Sequence, residues 1–149
     1  MKGLNNFEDI VIEATNRWEA LSGGQTPWIR VGTALCGKSA GADEVIDALR
    51  TEIQHHNIEA TVSEVGCFGM CYAEPLIDIT TSDGTRLFYG NVTPQQVPAI
   101  VYSHLVRNTP VHDLVLGYIG TVQPGIPNIW DLPMMKHQVR IALRNAGNI

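Results

Sequence analysis

Between residues 42 and 63 the apolar residues change their spacing, and that change limits the elements the chain can build. Val45, Ile46, Leu49 and Ile53 recur at intervals of three and four, which places them on one face of a helix over residues 42–56. Ile58, Ala60 and Val62 then alternate with Glu59, Thr61 and Ser63, the period of a half-buried strand. A short apolar run, Trp28-Ile29-Arg30-Val31, predicts a strand upstream. Downstream, Leu76 to Thr80 and Arg86 to Tyr89 flank the turn residues Ser82-Asp83-Gly84, so they predict a β-hairpin. Thr93-Pro94-Gln95-Gln96 supplies an N-cap, an early proline and a capping-box glutamine for a helix bearing Val97, Ile100, Val101 and Leu105. The order from residue 28 is strand, helix, strand, hairpin, helix. Such a set buries its faces as an α/β (α+β) fold of two layers, a sheet of about four strands with helices on it.

The flanks read differently. Phe7, Ile10, Val11, Ala14, Trp18 and Leu21 form one face of an amphipathic helix over residues 6–22, stopped by Ser22-Gly23-Gly24. Trp18 suits a core or interface better than a ligand box. From Gly117 to Pro133 glycines and prolines crowd together without periodicity, which predicts a linker. The stretch from Met134 to Ile149 is too short to fold alone and reads as an arm that docks on a partner or the start of something truncated. At 149 residues the chain is one domain and a little more, large enough to form a core without staples.

Charge removes several function classes. The 10 Lys+Arg stand against 15 Asp+Glu, a formal net of −5, with no basic stripe for nucleic acid or anionic lipid. No apolar run approaches the roughly 20 residues of a membrane span, and acids break the apolar stretch at the N-terminus, unlike a signal peptide. These features predict a cytoplasmic protein. Three cysteines do not make a disulfide framework and point to metal-binding or catalytic use, with plain burial of small thiols as the alternative.

Two motifs carry chemistry. Gly32-Thr33-Ala34-Leu35-Cys36-Gly37-Lys38-Ser39 matches the phosphate-loop pattern, with Lys38 for phosphates and Ser39 for Mg²⁺. Gly41 falls in what would be the first turn of its helix, and Asp78, the best magnesium-directing acid, sits mid-strand, so a P-loop nucleotide binder is the weakest reading. The second motif is Val65-Gly66-Cys67-Phe68-Gly69-Met70-Cys71-Tyr72-Ala73-Glu74-Pro75, with Cys36 upstream. Cysteines spaced C-x3-C on a glycine-rich loop can turn onto one metal centre, where backbone N–H groups approach sulfur. Zinc fits less well, because the five histidines show no paired spacing. Phe68 and Tyr72 are candidates to shield the centre, Glu74 to shape the loop, and His55-His56 to end a helix in solvent.

The blocks Gly32 to Ala42, Val65 to Pro75 and Tyr89-Gly90-Asn91-Val92-Thr93-Pro94 resemble the thioredoxin-like [2Fe-2S] ferredoxin domain. The likeness is to the copy at the N-terminus of complex I-type flavin/NADH-binding subunits, also found in NAD-linked hydrogenases and formate dehydrogenases. Residues 138–147 resemble the lead-in to that flavin domain. The resemblance implies a thioredoxin-like fold with its cysteine loops together at one end of the sheet. It divides the chain into an N-terminal helix and linker (1–27), the ferredoxin domain (28–115) and a Pro/Gly-rich lead-in to an absent flavin domain (116–149).

It also implies a [2Fe-2S] cluster with Cys36, Cys67 and Cys71 as cofactor-binding metal ligands. The family pattern is C-x4-C then C-x3-C, and the place of its first cysteine falls here on Val31 or Gly32, neither of which can ligate. Thr33 and Ser39 are the hydroxyls in that loop; an outside ligand or solvent could also serve. The function implied is an electron-transfer module of an NADH dehydrogenase-type oxidoreductase, not catalytic alone. Its partner is a flavin/NADH-binding subunit or domain, and a homodimer is a further candidate. The alternative is a cluster-free thioredoxin-like docking or assembly domain.

Overall fold

The computed structural model describes residues 6–24 and 26–148; the first five residues of the acid-broken N-terminus and the closing Ile149 lie outside it. Helix α1 runs Phe7–Ser22, capped by the Asn6 side chain, which accepts from the Asp9 N–H. Strand β1 (Trp28–Gly32) leads through the short α2 (Leu35–Ser39) into α3 (Ala42–His55). Gly41 separates the two helices with φ 100, a left-handed turn that a side chain disfavours. Strands β2 (Thr61–Val65), β3 (Ile77–Thr80) and β4 (Arg86–Tyr89) follow. Helix α4 (Val97–Ile100) widens into a π-helical segment, Val101–Val106, and β5 (Val115–Ile119) completes the set. Gln96 Oε1 accepts from Thr93 N at 2.8 Å, the reach-back of a capping box.

The sheet has five strands in the order β2-β1-β3-β4-β5, with β1 and β2 parallel and the remaining pairs antiparallel. This is a thioredoxin-like α/β architecture with one strand more than the sequence predicts. The additional strand, β5, lies where glycine and proline suggested a linker. A Cβ at Gly117 would come within 2.9 Å of the Pro127 carbonyl oxygen, and Tyr118 N donates to that same oxygen at 3.0 Å. Gly117 therefore marks a close crossing of two backbones, not a flexible joint.

Strand alternation sorts side chains onto two faces. Ile29, Val31, Ile77, Ile79, Leu87 and Tyr89 pack under α3 and α4 with Val45, Leu49, Val97 and Ile100. Phe88 faces the other way, into a smaller cluster with Phe68, Met70, Leu76, Ile129 and Met135. The segment expected to be an arm contributes Met135 and lies against the sheet. Helix α1 buries none of its residues; Trp18 meets Trp28 edge-on, ring centroids 5.8 Å apart. Among the described residues, no helix is long and apolar enough to cross a membrane.

Buried charge is concentrated on the second face. Asp78 Oδ1 accepts from Arg30 Nε and from Arg86 Nε at 2.7 Å each, and Asp78 Oδ2 accepts from Arg86 Nη2 at 2.7 Å. Arg30 and Asp78 are each 3% exposed. Arg30 lies 4.0 Å over the Trp28 ring and Arg86 4.7 Å over Phe88, so apolar rings cover the charges. Asp78 is thus the centre of an ion triad, which removes it as a magnesium-directing acid. Asp78→Ala leaves the buried Arg30 and the half-buried Arg86 with no counter-ion and should destabilise the fold by about 3–5 kcal/mol, read from urea unfolding midpoints.

A buried histidine gives a pH dependence of known sign. His104 is enclosed beside Tyr89, Nδ1 2.9 Å from the hydroxyl, and burial lowers its pKa to about 4. The unfolded chain takes up the proton near 6.5, so between that value and about 4 it binds more protons than the folded chain. Stability from this residue is complete above pH ~6.5 and falls by up to about 3 kcal/mol as pH drops to 4. His104→Gln should flatten that part of the stability-versus-pH curve, measured as the difference from wild type in urea titrations.

Candidate metal centre

The geometry of the site begins with the parallel pairing of β1 and β2. Trp28 lies opposite Thr61 and, four residues on, Gly32 lies opposite Val65, so both strands end at the same edge. Thr33 N donates to Val65 O at 2.9 Å and Gly32 N to Leu76 O at 3.0 Å, which fixes the starts of both loops. Cys36 then sits in α2, Cys67 two residues past β2, and Cys71 opens a single 3-10 turn, Cys71–Ala73. Cys71 Sγ is 3.4 Å from Cys36 Sγ and 3.6 Å from Cys67 Sγ. All three sulfurs lie within 4.8 Å of one another, a group that could hold a metal ion. The structure brings together the three residues that the sequence singles out.

Two glycines permit this approach. A Cβ on Gly37 would lie 2.0 Å from the Gly32 carbonyl oxygen, so α2 can rest on the end of β1 only without a side chain there. Gly69 adopts φ 102 and donates its N–H to Cys67 Sγ at 3.2 Å. Burial pushes the Cys67 thiol up to about 12, opposed by the Gly69 N–H and reinforced by the neighbouring thiols. Metal binding at this site would therefore release protons.

One acidic side chain enters the same space. Glu74 is 7% exposed, and its Oε2 accepts from Leu76 N at 2.8 Å, the loop-shaping role expected of it. Its other oxygen, Oε1, is buried without a hydrogen-bond partner. Burial raises the Glu74 carboxyl above the usual carboxylate range, opposed by the Leu76 N–H and by the Cys67 side chain. The hydroxyl-bearing candidates lie further out, Thr33 half-buried and Ser39 exposed.

A cover closes the site on the side of the second apolar cluster. Phe68 is buried, its ring centroid 4.8 Å from Phe88 and 5.7 Å from Trp130. Arg140 stacks 4.6 Å over Phe68 and donates to the Phe68 carbonyl. Burial lowers the Arg140 pKa, while the Cys67 charge acts to raise it. Arg86 donates to Gly147 O and Asn148 Oδ1 at 2.7 Å each, tying the tail down. Tyr72, the other expected shield, is exposed. Arg140 carries no sequence signal toward the site, because its position depends on how the tail folds back.

The phosphate-loop match takes a different conformation. The amides of Lys38, Ala40 and Gly41 donate to the carbonyls of Ala34, Cys36 and Lys38, and so are used within the α2 turn. Lys38 is exposed, 3.7 Å from Asp43. Glu52, His55 and His56 form a second potential ligand group at the end of α3, with His56 Nε2 3.5 Å from Glu52 Oε2. Because the Gly37 contact is with backbone, Gly37→Ala should cost roughly 2 kcal/mol or more and scatter the three thiols. The check is a pair of measurements, the urea midpoint and the number of cobalt(II)–thiolate bonds seen in the charge-transfer region.

No family model matches the chain. It is 32% identical over 78 residues to the ferredoxin, 2Fe-2S, of Clostridium pasteurianum, covering 51% of this chain and 74% of that protein. It is 25% identical over 119 residues to the NADP-reducing hydrogenase subunit HndB of Solidesulfovibrio fructosivorans, covering 77% of this chain and 93% of that subunit. A solved thioredoxin-like [2Fe-2S] ferredoxin from Aquifex aeolicus superposes with a TM-score of 0.55 at 25% identity, over 68% of this chain and 97% of that one.

Proposed function

The chain belongs to the thioredoxin-like [2Fe-2S] ferredoxins, and from that premise we propose that it is a one-electron relay module of an NADH dehydrogenase-type oxidoreductase complex in the cytoplasm. In this reading Cys36, Cys67 and Cys71 hold a [2Fe-2S] cluster, and the partner is a flavin/NADH-binding subunit or domain. The observation that carries it is the convergence of three thiols from two loops at one end of the sheet. The hydrogenase-subunit relative supports a place within a larger oxidoreductase.

The donor set suits this group. Three soft sulfurs face one another, Gly69 offers an N–H to one of them, and a buried carboxylate oxygen lacks a partner beside them. When bound, the cluster takes up and releases one electron at a time. The protein's part is to hold the sulfurs, exclude water and set the local charge. Phe68, packed on Phe88 and Trp130, keeps one side dry. Arg140 places a cation near Cys67, which favours the more negative, reduced state. Tyr72, exposed at the same end, offers a route of approach for a redox partner. Residues 1–27 and 116–149 flank the ferredoxin domain in this proposal, the latter as the approach to a flavin domain.

Purification without oxygen, followed by iron and acid-labile sulfide assays, tests the reading. The expected result is two irons and two sulfides per chain, visible charge-transfer absorption and a paramagnetic signal on one-electron reduction. Cys67→Ser should lower iron content several-fold. A colourless wild-type protein that takes up no iron on reconstitution would instead favour the docking-domain alternative.

A further inference from the structure

A [2Fe-2S] cluster is held by four ligands, and only three cysteines are present. The structure places an acidic side chain beside one of the two positions on which the first family cysteine falls. That cysteine falls on Val31 or Gly32, and Gly32 ends β1 at the edge where the thiols gather. A Cβ built on Gly32 would lie 3.0 Å from Glu74 Oε1 and 3.0 Å from Glu74 Oε2. The space that a side chain at position 32 would enter is therefore filled by the Glu74 carboxylate, delivered from the opposite loop three residues after Cys71. The same carboxylate also borders Gly37, next to Cys36, where a Cβ would be 3.3 Å from Oε2. It is thus held between the β1 end and α2, the helix that carries Cys36.

We propose that the Glu74 carboxylate is the fourth ligand of the cluster, coordinating through Oε1. This deepens the relay reading and rests on it. Three features of Glu74 fit a ligand better than a loop residue alone. Glu74 is 7% exposed, yet among the described residues it has no cationic partner, and while Oε2 accepts from Leu76 N, Oε1 has no hydrogen-bond partner. An unpaired buried carboxylate oxygen costs several kcal/mol on the scale of polar burial unless something satisfies it, and a metal ion does so. The Leu76 N–H orients the group so that Oε1 is the free atom, as a hydrogen bond to a ligating carboxylate normally does. Glycine at position 32 also leaves room for this placement, since a Cβ there would press on the carboxylate and make it shift. Gly32 and Glu74 thus lie together, and the carboxylate carries the same charge as the thiolate that the family pattern supplies.

The test uses the whole chain, reconstituted anaerobically with iron and sulfide, as wild type and as Glu74→Gln, Glu74→Ala, Thr33→Val, Ser39→Ala and Gly32→Cys/Glu74→Ala. Iron and sulfide content, the Mössbauer spectrum of ⁵⁷Fe-loaded protein, the paramagnetic spectrum of the reduced form and the rate of bleaching in air are read for each. Glu74→Gln keeps an oxygen for Leu76 N and guards against misfolding, which circular dichroism checks. In wild type the two irons should differ in isomer shift, one bearing an oxygen ligand. Glu74→Gln and Glu74→Ala should alter the spectra of the loaded protein and bleach at least about tenfold faster. Thr33→Val and Ser39→Ala should match wild type, and Gly32→Cys/Glu74→Ala should recover slow bleaching with two alike irons. If wild type carries a full cluster and both Glu74 variants keep its iron content, spectra and bleaching rate, Glu74 is not the ligand while the relay reading stands. If wild type holds no cluster, both fall.

Discussion

The in-register parallel pairing of β1 with β2 is the constraint on which the rest of this molecule depends. It ends both strands at one edge, with Gly32 opposite Val65, and so sends two loops far apart in sequence out of the same place. A slip of one residue would turn every side chain of β2 to the other face and move Cys67 away from Cys36 and Cys71. The register is held by the core beneath, where Ile29 and Val31 pack with Leu49 and Val45 on α3. Hydrophobic burial in the first layer thus sets the relative position of sulfur atoms that make no apolar contribution themselves. The close seat of α2 on β1, open only to glycine at position 37, finishes the placement.

The second face depends on charge as well as burial. Arg30, Asp78 and Arg86 lie across β1, β3 and β4, and their attraction offsets the cost of removing them from water only because each finds a partner and a covering ring. Arg86 then reaches beyond the triad to Gly147 and Asn148. One guanidinium thereby couples the sheet interior to the tail, and the tail brings Arg140 over Phe68 beside the cysteine loop. The environment of the thiols is in this sense set from the far end of the chain.

Most of the first layer could be read from periodicity. The faces of α3 and the β3–β4 hairpin follow from apolar spacing alone, and the C-x3-C loop with Cys36 marked the sulfur group before any geometry was known. What escaped was whatever depends on two segments crossing. Gly117 and Gly120 look like a linker because glycine signals freedom locally, but β5 uses Gly117 to let the Pro127 backbone pass at contact distance. Helix α1 shows the converse: its apolar face is clear in sequence, and nothing in the described residues buries it. Glu74 was legible only as a loop residue, because its meaning depends on Gly32, more than forty positions earlier.

That pair bears on how a four-ligand site changes without failing. A site that lacks the thiolate at the end of β1 lacks a negative charge and a ligand atom, and either alone would weaken a cluster. A carboxylate arriving from the other loop restores both, since it carries the same charge and fills the volume that a side chain at position 32 would take. Oxygen is a harder donor than sulfur and shares less electron density with iron, so a cluster bound this way would have two inequivalent irons. The total charge of the ligand set is unchanged, so its electrostatic contribution to the potential is preserved while its covalent contribution falls on one iron.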